Sequence, residues 1–352
     1  MNSSISSSDP WRGFCRRLLS LSLALGGAIY AFVVILDPFD TLAFSPPFDR
    51  SPITTNARYS FPALARSSAF DSIILGTSTS RLLRPAELDP LFGARFANLA
   101  MNSATAYEQW RLGMLFARHH PDARVLLVGI DIVWCETGDD IAKYTERSFP
   151  EWMYDDDPWN DYLEQFNLYA VEQAGIEFGV LTGLRPRPYG RDGYTDFLPD
   201  DAVYDVARAR AHLYPNGLAA IAPVVPPVQM SAEERRALRF PALALLSDLL
   251  RAMPEAKKIL FLVPYHLAAQ PRPGSREAIV WDECKLRLAA LAAASPDTRL
   301  VDFMISSEVT RSDDNYWDPL HYRIHVSSWL ARSLRAAVDG PPRGATEGYV
   351  VH

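Results

Sequence analysis

Near the C-terminal end, Asp318 and His321 stand three residues apart, a spacing that lets a carboxylate hold an imidazole. An imidazole held in this way can take the proton of a serine hydroxyl, which is a poor nucleophile until that happens. A serine suited to the task lies roughly 240 residues upstream, in Ile73-Ile74-Leu75-Gly76-Thr77-Ser78-Thr79-Ser80-Arg81. An apolar strand runs into a glycine there, and Ser78 follows where a helix should begin. Such a junction lifts a hydroxyl out of the end of a sheet. Ser78 is thus the candidate nucleophile, His321 the candidate base and Asp318 its holder. Taken alone, Asp318 reads as a helix-entry residue and His321 as a surface histidine. The pairing with Gly76-Thr77-Ser78 in this chain order favours catalysis. Ser80 is the alternative nucleophile, and its plainer reading is a helix N-cap.

Several elements must hold these residues. Apolar runs at 72–75, 95–100, 124–131 and 258–264, with a weaker one at 298–303, have the pattern of buried parallel strands. Helical patterns at 107–119, 242–253, 276–294 and 323–338 alternate with them. That alternation predicts an α/β fold, a doubly wound parallel sheet of about five strands with flanking helices. Ligands of such sheets sit at the carboxyl ends of the strands, where each polar motif falls. Residues 134–241 form too long a connection for a loop and are expected to be an inserted lid or subdomain. Residues 37–69 read as a linker that packs on the domain edge, 70–338 as the α/β domain, and 339–352 as a flexible tail.

The N-terminus sets the compartment. Residues 18–36 read LLSLSLALGGAIYAFVVIL, without a charge. Nineteen residues come close to the roughly 20 that span a bilayer core. Arg12, Arg16 and Arg17 precede the run, and Asp37 and Asp40 follow it, so residues 1–17 are expected to stay in the cytoplasm while the rest is exported. The run is long for a signal-peptide core and no clear cleavage site follows, which favours an uncleaved single-pass anchor. A net charge of -7 and the lack of a basic stripe argue against nucleic acid as a partner. The three cysteines, Cys15, Cys135 and Cys284, lack metal-finger spacing. Cys135 and Cys284 could pair outside the cytoplasm, but the sequence does not place their Cβ atoms, and a bridge is not the expectation. Asp155-Asp156-Asp157 lacks the spacing of a calcium loop and reads as a solvated acidic turn. His321 and His325 are four apart but have no third ligand in view, so neither a metal nor another cofactor is expected.

Four short blocks give the chain a family resemblance. Gly76-Thr77-Ser78-Thr79-Ser80, Asn98-Leu99-Ala100-Met101-Asn102-Ser103, Gly129-Ile130-Asp131-Ile132 and Asp318-Pro319-Leu320-His321 resemble the blocks of the SGNH hydrolase superfamily, the GDSL-like esterases and acyltransferases. The resemblance covers most of residues 70–335 outside the insert, and implies a flavodoxin-like sheet and a Ser78–His321–Asp318 triad. It also implies an oxyanion hole drawing on Ser78, Ser103 and, as a neighbouring side-chain donor, Asn102. Thr77, Asp131 and, from the end of the fourth strand, His266 are expected to line the site.

The chain departs from the family at Thr77, Ala100 and Ser103, and most seriously at Asp131, where the family has an oxyanion asparagine. An ionised carboxylate cannot donate a hydrogen bond to an oxyanion. Either Asp131 is protonated, or Asn102 substitutes for it, or Asp131 serves structure by binding backbone N–H groups; the third is the expectation. Arg81 is expected to pair with an acid on the sheet edge rather than steer an anionic polymer. The layout is similar to periplasmic polysaccharide O-acetyltransferase-like proteins of the bacterial inner membrane. That likeness implies an acyl-ester enzyme acting on a cell-surface or exported polysaccharide, with a membrane acyl-donor protein as a further partner. A catalytically silent domain that binds polymer or scaffolds a synthesis complex is the alternative.

Overall fold

The structure, a computed structural model, describes residues 8–340 and 348–352. Five apolar runs form parallel strands: β1 (Ser72–Leu75), β2 (Phe96–Asn98), β3 (Val125–Ile130), β4 (Lys257–Leu262) and β5 (Thr298–Asp302). In space the order is β2-β1-β3-β4-β5, closed by β6 (Val350–Val351), which runs antiparallel to β5. The chain order of the strands changes direction beside β1, and open α/β sheets form their ligand crevice at such a reversal. Strands β1, β2 and β3 are buried at every residue, which explains why they read as continuous apolar runs rather than alternating ones.

The helices in chain order are α1 (Ser8–Leu36), α2 (Ala57–Arg66), α3 (Pro85–Phe92), α4 (Ala106–His119), α5 (Asn160–Glu164), α6 (Leu168–Leu181), α7 (Val206–Leu213), α8 (Ala232–Ala237), α9 (Ala242–Ala252), α10 (Arg276–Ala293), α11 (Glu308–Arg311) and α12 (Ile324–Asp339). The four helices expected from periodicity correspond to α4, α9, α10 and α12. Helix α4 starts at a capping box, in which Thr105 and Glu108 satisfy each other's backbone N–H groups. Glu108 also takes a two-point ion pair from Arg58 of α2, at 2.8 and 2.5 Å, with both side chains almost fully buried. A paired, hydrogen-bonded geometry of this kind is what makes buried charge tolerable.

Four features differ from the sequence reading. The stretch taken as an irregular linker contains α2, whose Asn56 cap and buried face pack it onto the domain despite Pro62. After Ser78 the chain makes a 3-10 turn, Ser80–Leu82, and α-helix resumes only at Pro85, a residue suited to a first helical turn. The C-terminal residues expected to be a flexible tail include β6, tied by the His352 N–H to the Leu300 carbonyl, with Tyr349 packed on Phe303; residues 341–347 lie outside the described residues. Finally, Cys135 after β3 and Cys284 in α10 are joined by a disulfide across 149 residues, their Cα atoms 5.7 Å apart. The sheet neighbours β3, β4 and β5, with α10 packed against β5, supply the proximity that sequence spacing could not.

Helix α1 is long and apolar enough to cross a membrane over Trp11–Leu36. It packs alongside α6 near its C-terminal end.

Candidate active site

The Ser78 loop leaves β1 through Gly76, whose φ of +148° suits glycine alone. A Cβ on Gly76 or Gly129 would lie within about 2.2 Å of the Ser80 hydroxyl, so both glycines make room for that side chain. Ser80 is fully buried between them, its hydroxyl without a hydrogen bond, and the side chain caps no helix. It is inaccessible as a nucleophile, which corrects both readings of it. Ser78 stands half-buried at the mouth of the loop.

The structure brings the three expected residues together. His321 Nε2 lies 2.8 Å from Ser78 Oγ, and His321 Nδ1 lies 2.7 Å from Asp318 Oδ2. Asp318 Oδ1 accepts the backbone N–H groups of Leu320 and His321, at 2.8 and 2.9 Å. One carboxylate therefore folds its own turn and orients the ring, a common use of Asp in tight turns. Burial opposes ionisation of Asp318, but the hydrogen bond and charge of His321 and the two backbone N–H groups outweigh it and hold the carboxyl below its usual range. Asp318 is thus ionised at neutral pH, as an imidazole-orienting group must be.

The turn is pinned from several sides. The Tyr322 hydroxyl donates to the Thr79 carbonyl at 2.7 Å, tying the histidine loop to the serine loop. The Tyr316 hydroxyl donates to the Pro264 carbonyl, and the His266 N–H to the Pro319 carbonyl. Tyr316 and Tyr322 face each other in a β-bridge across the turn. Sequence reading missed these tyrosines, although their symmetric placement around Trp317–His321 was a usable signal. We expect Tyr322→Phe to lower kcat for an ester substrate about tenfold with little change in KM. The expected loss of stability is about 1 kcal/mol. Steady-state kinetics and a denaturation curve check the pair of values; an unchanged kcat with reduced stability would make Tyr322 structural only.

His266, expected to line the site, is instead buried behind it. Its ring packs edge-on to Tyr214 and Tyr316, Nδ1 accepts the Ala268 N–H, and Nε2 faces Asp313 at 3.3 Å. His325 is likewise engaged, with Asn315. Among the described residues no group of three or more His, Cys, Asp or Glu has the arrangement to hold a metal.

The expected oxyanion side departs most from the pattern of the superfamily that the sequence resembles. Ser103 is exposed and has φ +54°, the left-handed conformation a glycine would favour, so the chain keeps the backbone shape without the glycine. Arg81 Nη1 lies 3.0 Å from Asn102 Oδ1. A guanidinium only donates, which fixes the amide: the oxygen faces Arg81 and the Nδ2 group is turned away. Neither the Ser103 N–H nor Asn102 Nδ2 donates to another described residue, so both are available to a ligand. Arg81 itself is almost fully buried and pairs with no acid among the described residues. It lies over the rings of Tyr189 and Phe197, which corrects the expectation of a sheet-edge ion pair. Asn98, from the second block, clamps the serine loop from beneath. Its Nδ2 donates to the carbonyls of Arg81 and Leu83, and its Oδ1 accepts the Ala100 N–H.

Asp131 is buried at the end of β3 and accepts the Thr77 hydroxyl at 2.5 Å. Its other oxygen has no hydrogen bond of ordinary geometry. Burial pushes the carboxyl up to about 6, against the Thr77 hydroxyl and the Val133 N–H, which favour the charged form. Asp131 thus braces the residue before the candidate nucleophile mainly through a side chain, where backbone N–H partners were expected.

A cleft of about 380 Å³ opens on the His321 side. His321 and Asp318 form part of its wall, together with Trp317 and with Phe197, Val203 and Arg208 from the insert. Phe197 stands edge-on to His321, with ring centres 5.6 Å apart. The insert therefore borders the site, and its aromatic content serves the cleft as well as packing. No family model and no curated protein matches this chain.

Proposed function

We propose that this protein is a membrane-tethered, extracytoplasmic serine acyl-ester enzyme of the SGNH type. It would be an O-acetyltransferase or acetylesterase acting on a cell-surface or exported polysaccharide. The observation that carries the reading is the unbroken line from Ser78 Oγ to His321 Nε2 and from His321 Nδ1 to Asp318. In the proposed cycle Ser78 Oγ attacks the ester carbonyl while His321 takes its proton. The tetrahedral oxyanion meets the N–H groups of Ser78 and Ser103 and the Asn102 amide. Collapse forms an acyl-Ser78 ester as His321 returns the proton to the departing alcohol. A second alcohol or water then reverses the sequence. Because the imidazole hands protons to and from alcohols, a cleft walled by His321 suits the alcohol, and Trp317 and Phe197 offer flat faces for a sugar ring. The apolar α1 and the Cys135–Cys284 bridge support a site outside the cytoplasm, where disulfides persist. The polysaccharide substrate and a membrane protein as acyl donor rest on the family resemblance.

A fluorophosphonate probe tests nucleophile activation directly. The full-length protein in detergent is expected to label at one site, located to Ser78 by peptide mass, with labelling lost in His321→Ala. A wild-type protein that does not label would favour the silent, polymer-binding alternative.

A further inference from the structure

The uncharged apolar run of α1, residues 18–36, has 19 residues, because Arg12, Arg16 and Arg17 stand in the turns before it. At 1.5 Å per residue this is about 28 Å, close to the thickness of a hydrocarbon core. The last turns of α1 therefore reach the outer boundary of the core, and there the protein closes around the helix. Val33 and Leu36 are buried, Tyr30 meets Phe166 with ring centres 5.3 Å apart, and Phe32 meets Phe178 at 6.1 Å. The Tyr30 hydroxyl donates to the Tyr162 carbonyl at 2.5 Å.

The outer side of the same corner is uncovered. Trp159 is 62 % exposed, Leu163 79 %, Phe166 70 % and Leu168 87 %. Phe44, 74 % exposed, joins them from a distant part of the chain, its ring 5.7 Å from that of Trp159. Scattered exposed apolar residues need no explanation, but a contiguous group drawn from two segments does. The two helices of this corner contribute Glu164 and Glu172 at the surface, Asp161 and Glu177 in the interior, and no Lys or Arg, so attraction to anionic headgroups is not what they offer.

We infer that the α5–α6 corner, with Phe44, is seated in the lipid interface of the leaflet from which α1 emerges. The occupant is bilayer lipid because the patch is continuous with the surface of a helix that lipid already surrounds. Trp and Tyr, here Trp159 and Tyr162, favour that depth. The catalytic domain is then fixed on the membrane by two contacts rather than swinging on a tether. The inference rests on α1 spanning the bilayer and is independent of the chemistry at Ser78.

The test uses the full chain in phospholipid vesicles, in a Cys15→Ser background that removes the free thiol. A spin label is placed at Leu163→Cys or Leu168→Cys, and for comparison at Leu218→Cys, which is 66 % exposed in the insert. Collision with oxygen, which partitions into lipid, is compared with collision with a water-soluble nickel chelate. At positions 163 and 168 oxygen access is expected to exceed nickel access severalfold, with the order reversed at 218. Nickel access at the corner equal to that at 218 would overturn the seat, leaving a tether alone. Exclusion of both reagents would overturn it in favour of a protein cover. Failure of the protein to float with vesicles would overturn anchor and seat together, while ester turnover of the same samples reports separately on the active site.

Discussion

Ser78→Ala is expected to lower kcat/KM for a chromogenic acetyl ester by about 10⁴-fold or more, close to the rate of the buffer. In the proposed triad the serine, histidine and aspartate act as one unit, so the loss should be non-additive: adding His321→Ala to Ser78→Ala should cost little beyond the first change. The fold should tolerate the substitution. Ser78 is half-buried, and the contacts that hold its loop belong to Asn98, Tyr322 and Thr77 rather than to its own hydroxyl. Unfolding midpoints of parent and variant should therefore agree within the usual range for a surface change, about 0.5 kcal/mol. The measurement is ester turnover of the full-length protein across a range of enzyme concentrations, paired with a melting curve. A Ser78→Ala rate within tenfold of the parent would remove Ser78 from the chemistry.

What the sequence made legible here is what is local. Asp318 and His321 meet because a four-residue turn brings them together, with Asp318 also binding the turn's own N–H groups. The strands could be read because burial on both faces leaves β3 without a polar side chain and β1 with Ser72 alone, at its first position. The rest depended on partners distant in sequence. Arg58 lies within the stretch that reads as a linker, and Glu108, 50 residues on, neutralises it in the core. Arg81 was expected to pair with an acid, whereas an amide oxygen and two aromatic faces meet its guanidinium. Two residues suffice for β6, below any length at which a strand period can be recognised. Helix α6 has apolar residues on its exposed as well as its buried side, so no amphipathic stripe marked it. The proposed lipid seat gives that pattern a physical reason.

Asp131→Asn is the substitution expected to produce a gain. The buried carboxyl, raised to about 6 from an ordinary 3.8, binds more protons in the folded than in the unfolded protein between those values. Stability linked to this group therefore falls as pH rises through about 4 to 6 and stays reduced above it. An asparagine carries no such penalty. Asp131→Asn is expected to stabilise the protein on the order of 2–3 kcal/mol at pH 7.5 and to leave it nearly unchanged at pH 4, taking two pKa units at about 1.4 kcal/mol each. Denaturation curves at the two pH values check the sign: equal shifts at both would mean that the carboxyl is not the titrating group. The amide also changes what the site can do. Its oxygen can keep the Thr77 hydroxyl, while its Nδ2 replaces an oxygen that has no hydrogen bond of ordinary geometry, adding a donor at the end of β3. One added oxyanion donor is worth about 10²-fold in kcat at full alignment. An increase of tenfold or more at pH 7.5, with KM little altered, is the expected result. Below pH 6 the parent's own Asp131 becomes protonated and can donate, so the advantage of the variant should shrink there. A variant that is more stable at pH 7.5 but no faster would assign the oxyanion to Ser78, Ser103 and Asn102 and leave Asp131 as the brace of Thr77.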